Sequence, residues 1–479
     1  MSGRGAVVEA ESDDLVVEAR DADGGVLAAA PVIEGVQEEA EAVLHVAVLP
    51  AMADVTSLVL VEDGDDAIAW PASANAPTVS LTVPATVTAD RATVELVVDD
   101  ADVDDVLGAT LSISVDGGET WSVLRHLDPA ETGPATIDLS GFPTGPAVVR
   151  AAVSDGLLVD IADADLVIGP LRRLSGDSRV TTAIEVSRAS HPEDGSAATA
   201  VLARADGFAD ALSGATLATQ VAGPLLLNPT DRLADEVAAE LIRLDVDEVV
   251  LLGGVSALSA QVAADLGAMG VTVDRVAGDS RFATAGAVAD RIDSSHAFLV
   301  EGANADPGRG WPDAVSASAL AAFRGDPVLL ATRDELPAAT AEALTRNGIG
   351  AVTIVGGTAA VSDAVESALT DLGIDVERVA GPSRFATSGE VAALAQQLGA
   401  DGNRVWLATG SNFPDALAAG PAAAADGGVL LLVDRDTLDG SPAVGAWIED
   451  HPTLSQVTLV GGPAAISDQV AADLEARAG

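Results

Sequence analysis

Arg275-Val-Ala-Gly-Asp-Ser-Arg281 stands near the middle of the chain and is written three times. It reads Arg173-Leu-Ser-Gly-Asp-Ser-Arg179 upstream and Arg378-Val-Ala-Gly-Pro-Ser-Arg384 downstream. The intervals between the first arginines agree to within one residue. Two more landmarks follow in fixed order. Phe208-Ala-Asp210-Ala-Leu recurs as Trp311-Pro-Asp313-Ala-Val and Phe413-Pro-Asp415-Ala-Leu. Val250-Leu-Leu-Gly253-Gly254 recurs as Ile354-Val-Gly356-Gly357 and Leu459-Val-Gly461-Gly462. Ordered landmarks repeated in this way define tandem units of about a hundred residues.

Outward from these landmarks, strands alternate with helices. In the second copy a helix starts near Ser280, then come strand Ala297–Val300, helix Asp313–Phe323 and strand Pro327–Leu330. A helix beginning at Pro337, strand Ala351–Val355, a helix capped by Ser362 and a strand ending at Ala380 complete it. Pro337 near a helix start and Gly373 after a helix end are the expected punctuation. The strands are short and continuously apolar. Such strands are buried on both faces, and helical crossovers between them make the sheet parallel.

Ahead of the repeats the period is two. Alternating runs at Leu15–Ala19, Val43–Val48, Ser57–Val61, Val79–Val83, Thr93–Val98, Thr110–Val115 and Ala147–Val153 are separated by turn signals such as Asp116-Gly117-Gly118. The expected architecture is therefore multidomain. Two N-terminal β-sandwiches, 1–72 and 73–170, precede three α/β repeats at 171–272, 273–375 and 376–479. The stretch Ser114-Val-Asp-Gly-Gly-Glu-Thr-Trp121, with Val148-Val-Arg-Ala-Ala-Val-Ser-Asp-Gly156, resembles immunoglobulin-like or fibronectin-like modules of bacterial secreted proteins.

Charge narrows the function. Seventy-four carboxylates face 24 cationic side chains, all arginine, for a net charge of −50. That excludes a nucleic-acid partner, which needs a basic face. An acidic, lysine-free surface suits work in salt, where self-repulsion is screened. There is no cysteine, hence no disulfide, thiolate zinc site or cysteine nucleophile. No run of about 18 apolar residues is present to span a membrane. The opening Met-Ser-Gly-Arg-Gly has neither a basic n-region nor an apolar h-region, so no signal peptide is read there. A secreted role then implies that the chain is part of a longer protein.

Three constellations are candidates for binding. The glycine pairs Gly253-Gly254, Gly356-Gly357 and Gly461-Gly462 close parallel strands, where open α/β sheets take ligands, but a tight strand-to-helix turn also needs glycine. They lack the spacing of a dinucleotide fingerprint or a P-loop. Asp210, Asp313 and Asp415 begin helices, which makes capping their plainer role. Arg179, Arg281 and Arg384, each following Arg173, Arg275 and Arg378 in its motif, need partners in a chain so poor in cations. Either each pairs with an acid of its own repeat, Asp210, Asp313 and Asp415 first, or they form an anion site. Enzyme signatures are missing: the five histidines occupy no common repeat position, and neither His-Glu-x-x-His nor Gly-x-Ser-x-Gly occurs. No cofactor is expected. The one metal candidate is a calcium site at Asp99, Asp100, Asp102, Asp104 and Asp105, which reads more plainly as a solvated acidic loop.

Taken together, Arg-x-x-Gly-x-x-Arg-x-x-Thr, Phe-Pro-Asp-Ala-Leu and the strand ending in Gly-Gly resemble the cell-wall-binding repeat 2 family, over about Leu171 to Gly479. The resemblance implies three Toprim-like domains packed as a pseudo-trimer, holding a secreted protein non-covalently on the cell wall through an anionic wall polymer. It implies a binding module, not an enzyme, with no obligate protein partner. An alternative makes the chain the C-terminal accessory part of a secreted hydrolase. Copy one departs in having Ala209 where the others have Pro312 and Pro414, and copy two has a longer loop between Gly302 and Asp313.

Overall fold

The computed structural model describes residues 10–37, 42–46, 55–62, 64–71, 74–87, 91–102, 106–127, 130, 132–139, 142–304, 311–412 and 414–478. Two compact units divide the chain, Met1–Ile168 and Gly169–Gly479.

Within the first unit, strands Ala10–Arg20, Val26–Gln37, Ala42–Val46, Ser57–Glu62 and Asp65–Pro71 form one antiparallel sheet. The expected first sandwich is thus a single layer among the described residues. Among the side chains whose burial is described, Ala19, Ala30 and Val59 are its buried apolar ones. From residue 74 onward the strands do form two sheets, of five and three strands, around one core. Arg91–Asp99 turns Ala92, Val94 and Leu96 inward, and Gly145–Ser154 turns Ala147, Val149, Ala151 and Val153 inward to meet them. This is the two-residue period of half-buried strands.

The second unit carries three four-stranded parallel sheets of one topology. The first orders Leu225–Asn228, Thr199–Arg204, Glu248–Leu252 and Thr272–Val276. The second orders Val328–Thr332, His296–Ala303, Ala351–Val355 and Asp375–Val379. The third orders Val429–Val433, Arg404–Thr409, Gln456–Val460 and finally Leu171–Leu174, whose register pairs Leu171 with Val457 and Leu174 with Val460. Each sheet's last strand leads into the next motif, so the third sheet borrows the strand that precedes the first repeat. The boundaries expected at 272 and 375 accordingly fall in or beside strands that complete the preceding sheets.

Helices Ala209–Gln220, Pro312–Arg324 and Pro414–Ala425 all pack on one another. Their alanine, glycine and serine residues are what allow this: a Cβ on Gly420 would sit 2.6 Å from Ser318 Oγ. The helix opening each repeat packs on the central helix of the repeat before it: Arg281–Ala289 on Ala209–Gln220, Arg384–Gln397 on Pro312–Arg324, and Arg179–Ser190 on Pro414–Ala425. One apolar cluster runs through all three repeats, from Leu171 to Leu474. Full burial of a side chain such as Phe298 contributes about 1.5–3 kcal/mol.

Candidate ligand-binding seams

The repeated motif is first a structural device. Ser178, Ser280 and Ser383 are N-caps whose hydroxyls accept from the backbone N–H of Thr181, Ala283 and Ala386, a bond worth about 1 kcal/mol. The glycine before each cap lies against its own helix: a Cβ on Gly278 would meet Ala283 at 2.5 Å. Its N–H donates instead to Thr284 Oγ1 at 3.1 Å, as Gly176 does to Thr182 and Gly381 to Thr387. The first arginine reaches back to the glycine pair of the sheet it completes. Arg275 Nη1 donates to Gly253 O at 2.8 Å, Arg378 Nη1 to Gly356 O at 2.8 Å and Arg173 Nη1 to Gly461 O at 2.9 Å. Arg378 adds a 2.7 Å bridge to Glu366 and Arg173 a 3.4 Å bridge to Asp468.

The aspartates do not cap. Asp210 and Asp313 occupy the second position of their helices, after Ala209 and Pro312, and the N-cap positions belong to Phe208 and Trp311. Each carboxylate instead lies against the first glycine of the pair. A Cβ on Gly253 would fall 2.7 Å from Asp210 Oδ2, one on Gly356 2.5 Å from Asp313 Oδ2, and one on Gly461 2.8 Å from Asp415 Oδ2. These glycines have φ of 90°, 116° and 113°. Space and backbone conformation therefore both demand glycine there. The second glycines differ: Gly254 and Gly357 face open space, and Gly462 meets only Ser175 Cβ at 3.9 Å.

The second arginine joins one repeat to the next. Arg179 Nη1 donates to Ala205 O at 2.9 Å, Arg281 Nη1 to Gly302 O at 2.7 Å and Arg384 Nη1 to Gly410 O at 2.6 Å. Its other face turns to the preceding repeat. Arg281 lies 5.6 Å from the Phe208 ring centroid and Arg384 5.4 Å from that of Trp311. The charge of Arg281 is felt at Asp210, and that of Arg179 at Asp415. The expected pairing within a repeat is corrected on this point. Among the described residues Arg179 and Arg281 make no ion pair within salt-bridge reach, and the acids they influence include those of the repeat before. Head-to-tail packing places each opening helix on its predecessor's central helix, which is the physical reason.

Between the first two repeats the seam holds a cleft of about 500 Å³, lined by Arg204, Asp206, Phe208, Asp210, Gly254 and Arg281 among others. Burial pushes the Asp210 carboxyl above its ordinary range, with Arg204 and Arg281 opposing. Asp415 is raised by burial too, against the Thr182 hydroxyl and Arg179. Arg204 is committed to Asp206 at 2.7 Å. Arg281 spends only Nη1 on Gly302, and among the described residues its Nε and Nη2 make no hydrogen bond. Helix Ala209–Gln220 opens at the cleft with no side-chain cap bond. Free guanidinium N–H groups beside an uncapped helix start suit an anion.

Other candidates lie elsewhere. In the calcium candidate, Asp102 accepts from Asn75 N at 2.8 Å and Asn75 Nδ2 at 3.0 Å, and its own N–H donates to Asp100. Asp104 and Asp105 lie outside the described residues, as does Phe413 of the third aromatic motif. No group of three metal-ligating side chains occurs among the described residues. Nor, among them, is any helix long and apolar enough to cross a membrane. His296 is tied to Asp326 at 2.8 Å and Thr353 at 2.9 Å, at the strand start and so at the opposite edge of its sheet from the seam. The sequence reading did not foresee the serine caps, the threonine latch or the aromatic ring as a seat for the next repeat's arginine. The motif Ser-Arg-x-x-Thr carried the first two signals.

Comparison with known proteins agrees with this geometry. The model of the family "Cell wall binding domain 2 (CWB2)" matches residues 173–263, 275–366 and 378–471, each match opening on a clamping arginine. N-acetylmuramoyl-L-alanine amidase LytC of Bacillus subtilis (strain 168) is 29% identical over 323 residues, 67% of this chain and 61% of the relative. The amidase enhancer of the same organism is 26% identical over 298 residues, 62% of this chain and 39% of the relative. The chain thus spans less than two thirds of either relative. Cwp6 and Cwp8 from Clostridium difficile share the fold, with TM-scores of 0.57 and 0.56 at 18% and 22% identity. Each alignment covers 83% of this chain, and 68% of Cwp6 and 80% of Cwp8. With three tandem matches over more than half its length, the chain belongs to the CWB2 family.

Proposed function

We propose that this chain anchors a protein non-covalently at the cell wall, by taking an anionic wall polymer into the seams between its three repeats. The observation that carries the reading is the second arginine: it ties down one N–H on a backbone carbonyl, while among the described residues the remaining donors of Arg179 and Arg281 make no hydrogen bond, and Arg281 lines the cleft. A planar guanidinium held in this way matches phosphate or carboxylate with two parallel bonds. Membership of the CWB2 family supports the wall as the place of action. The mutual packing of the three central helices and the strand borrowed from Leu171–Leu174 support a closed pseudo-trimer of Toprim-like units. The two-sheet region that ends at Ile168 then serves as an immunoglobulin-like spacer.

The similarity to LytC and to the amidase enhancer favours a second reading, in which the chain is the accessory and anchoring part of a wall hydrolase. Sedimentation with purified walls tests both. The full chain is expected to pellet with intact walls, to stay in solution with walls stripped of their secondary polymer, and to release no soluble wall fragments. Equal pelleting with stripped walls refutes the ligand class.

A further inference from the structure

The three repeats differ at one strand tip. Strand Thr199–Arg204 ends on Arg204, one residue before the Ala205 carbonyl that accepts from Arg179. The same position is Glu301 in the second repeat, one before Gly302, and Thr409 in the third, one before Gly410. Glu301 and Thr409 are buried and engaged within their own loops. Glu301 accepts from Asn304 Nδ2 at 2.6 Å, and Thr409 Oγ1 from Ser411 N at 3.2 Å. Arg204 is 31% exposed and lines the cleft together with Arg281. A cation, an acid and a hydroxyl thus stand at one place in otherwise matching repeats.

The loop of the first repeat is built around its arginine. Gly207 stands where the other copies have Asn304 and Asn412. A Cβ on Gly207 would fall 2.9 Å from Arg204 Nε and 3.0 Å from its Cδ, so the glycine leaves the space in which the guanidinium lies. Asp206, itself 63% exposed, holds Nε at 2.7 Å. Among the described residues, Nη1 and Nη2 of Arg204 make no hydrogen bond, and neither do Nε and Nη2 of Arg281. Two guanidinium groups with donors to spare therefore line one cleft. Asp206, Asp210 and Asp279 line it as well, so net charge does not set it apart. Asp206 and Asp279 are exposed, where solvent and salt screen them. The supply of positioned donors is what distinguishes this seam.

We propose that Arg204 makes the seam between the first two repeats the one strong anion site of the chain, where Arg204 and Arg281 together grip a single phosphate group, and that the other two seams hold the polymer more weakly. This rests on the anchoring reading only in taking the seams as the place where an anion enters. A carboxylate matches one guanidinium fork with both its oxygens, whereas a phosphate group has oxygens for two forks at once. Arg204 is then the residue that selects phosphate and sets one strong contact per chain.

Pyrophosphate is the probe, titrated calorimetrically into the full chain at moderate salt. One saturable site per chain is expected, with malonate, a dicarboxylate, binding more weakly. Arg204→Gln should weaken the site about ten- to hundredfold, the loss of charged hydrogen bonds. Its urea midpoint should stay at the wild-type value, because Asp206 is left in solvent. The double variant Arg204→Thr, Gly207→Asn copies the third repeat, a loop the fold already uses, and should weaken binding equally. No saturable site, three equivalent sites, malonate binding as tightly as pyrophosphate, or wild-type affinity in either folded variant overturns the proposal. Wall sedimentation separates it from the anchoring reading. If wild type pellets only with polymer-bearing walls and Arg204→Gln pellets equally well, anchoring stands and the single strong site is refuted. If one pyrophosphate site is lost in Arg204→Gln but wild type does not pellet, the site stands and anchoring is refuted.

Discussion

Replacing Gly356 by alanine puts the glycine–aspartate contact to the test. At φ of 116° a Cβ is strained before it touches anything, and here it would also lie 2.5 Å from Asp313 Oδ2 and 3.2 Å from Ala360 Cβ. Backbone strain of this kind costs about 1–3 kcal/mol. Overpacking costs about 1–3 kcal/mol more. Gly356→Ala should therefore destabilise the repeats by about 2–6 kcal/mol. Its neighbour is the control. Gly357 has no positive φ and open space in front of it, so Gly357→Ala should change stability by less than about 0.5 kcal/mol.

Urea unfolding followed by the fluorescence of Trp311 and Trp406, both buried in the repeats, reads the difference. Adding Asp313→Ala to Gly356→Ala removes the clash but not the strain. The double variant should then be more stable than the sum of the singles by about 1–2 kcal/mol. Strict additivity, or a Gly356→Ala variant as benign as Gly357→Ala, would refute the idea that the aspartate is seated on the glycine.

Arg281→Ala should cost about 2–4 kcal/mol, from one charge-assisted bond to Gly302 O and a ring contact with Phe208; a loss above this range in urea unfolding would point to a buried ion pair that the seam does not contain. Because burial raises the folded-state pKa of Asp210 and Asp415, the folded chain holds those protons more tightly than the unfolded one. Their contribution is thus most favourable at low pH and is lost as pH rises from the ordinary carboxylate range through the raised values. The Asp210→Asn, Asp415→Asn variant should accordingly gain relative stability toward neutral pH, and an unchanged pH profile between about pH 4 and 7 would contradict the sign. Leu174→Ala precedes the first repeat yet should destabilise the third by about 2–5 kcal/mol, since Leu174 is buried opposite Val460; amide exchange at Val457 and Val460 should quicken, and protection equal to wild type would argue against the borrowed strand.

The repeats were legible because three landmarks recur in order and because strands such as Val328–Thr332 are apolar throughout, a pattern only a doubly covered parallel strand needs. The first sheet misled because alternation at Leu15–Ala19 tells which side chains share a face and not whether another sheet covers them. Within the site, the sequence suggests that the second arginine and the aspartate of the motif act together, and it points Arg281 to Asp313 of its own repeat, because three near-identical copies hide which copy supplies which partner. Only the packing of each opening helix on its predecessor assigns Arg281 to Asp210 and Phe208. The role of Asp210 was missed for a local reason. A helix-initial aspartate resembles a cap, and its true seat, Gly253, lies on a loop distant in sequence and brought close by the parallel sheet.

Local capture at the seams is tested most directly by wall binding across a salt series. At a net charge of −50 the mean field repels an anionic polymer, and salt screens that repulsion, whose reach at 0.1 M is about 10 Å. Sheltered guanidinium contacts lose less than the repulsion does. The bound fraction of the full chain on purified walls is expected to hold or rise as salt increases from low levels. In parallel, Gly254→Glu, Gly357→Glu and Gly462→Glu together put carboxylates at the open side of each seam without touching the fold, and should abolish binding at every salt concentration. A steep monotonic loss of wild-type binding with salt, or a triple variant that binds like wild type, would contradict capture at the seams.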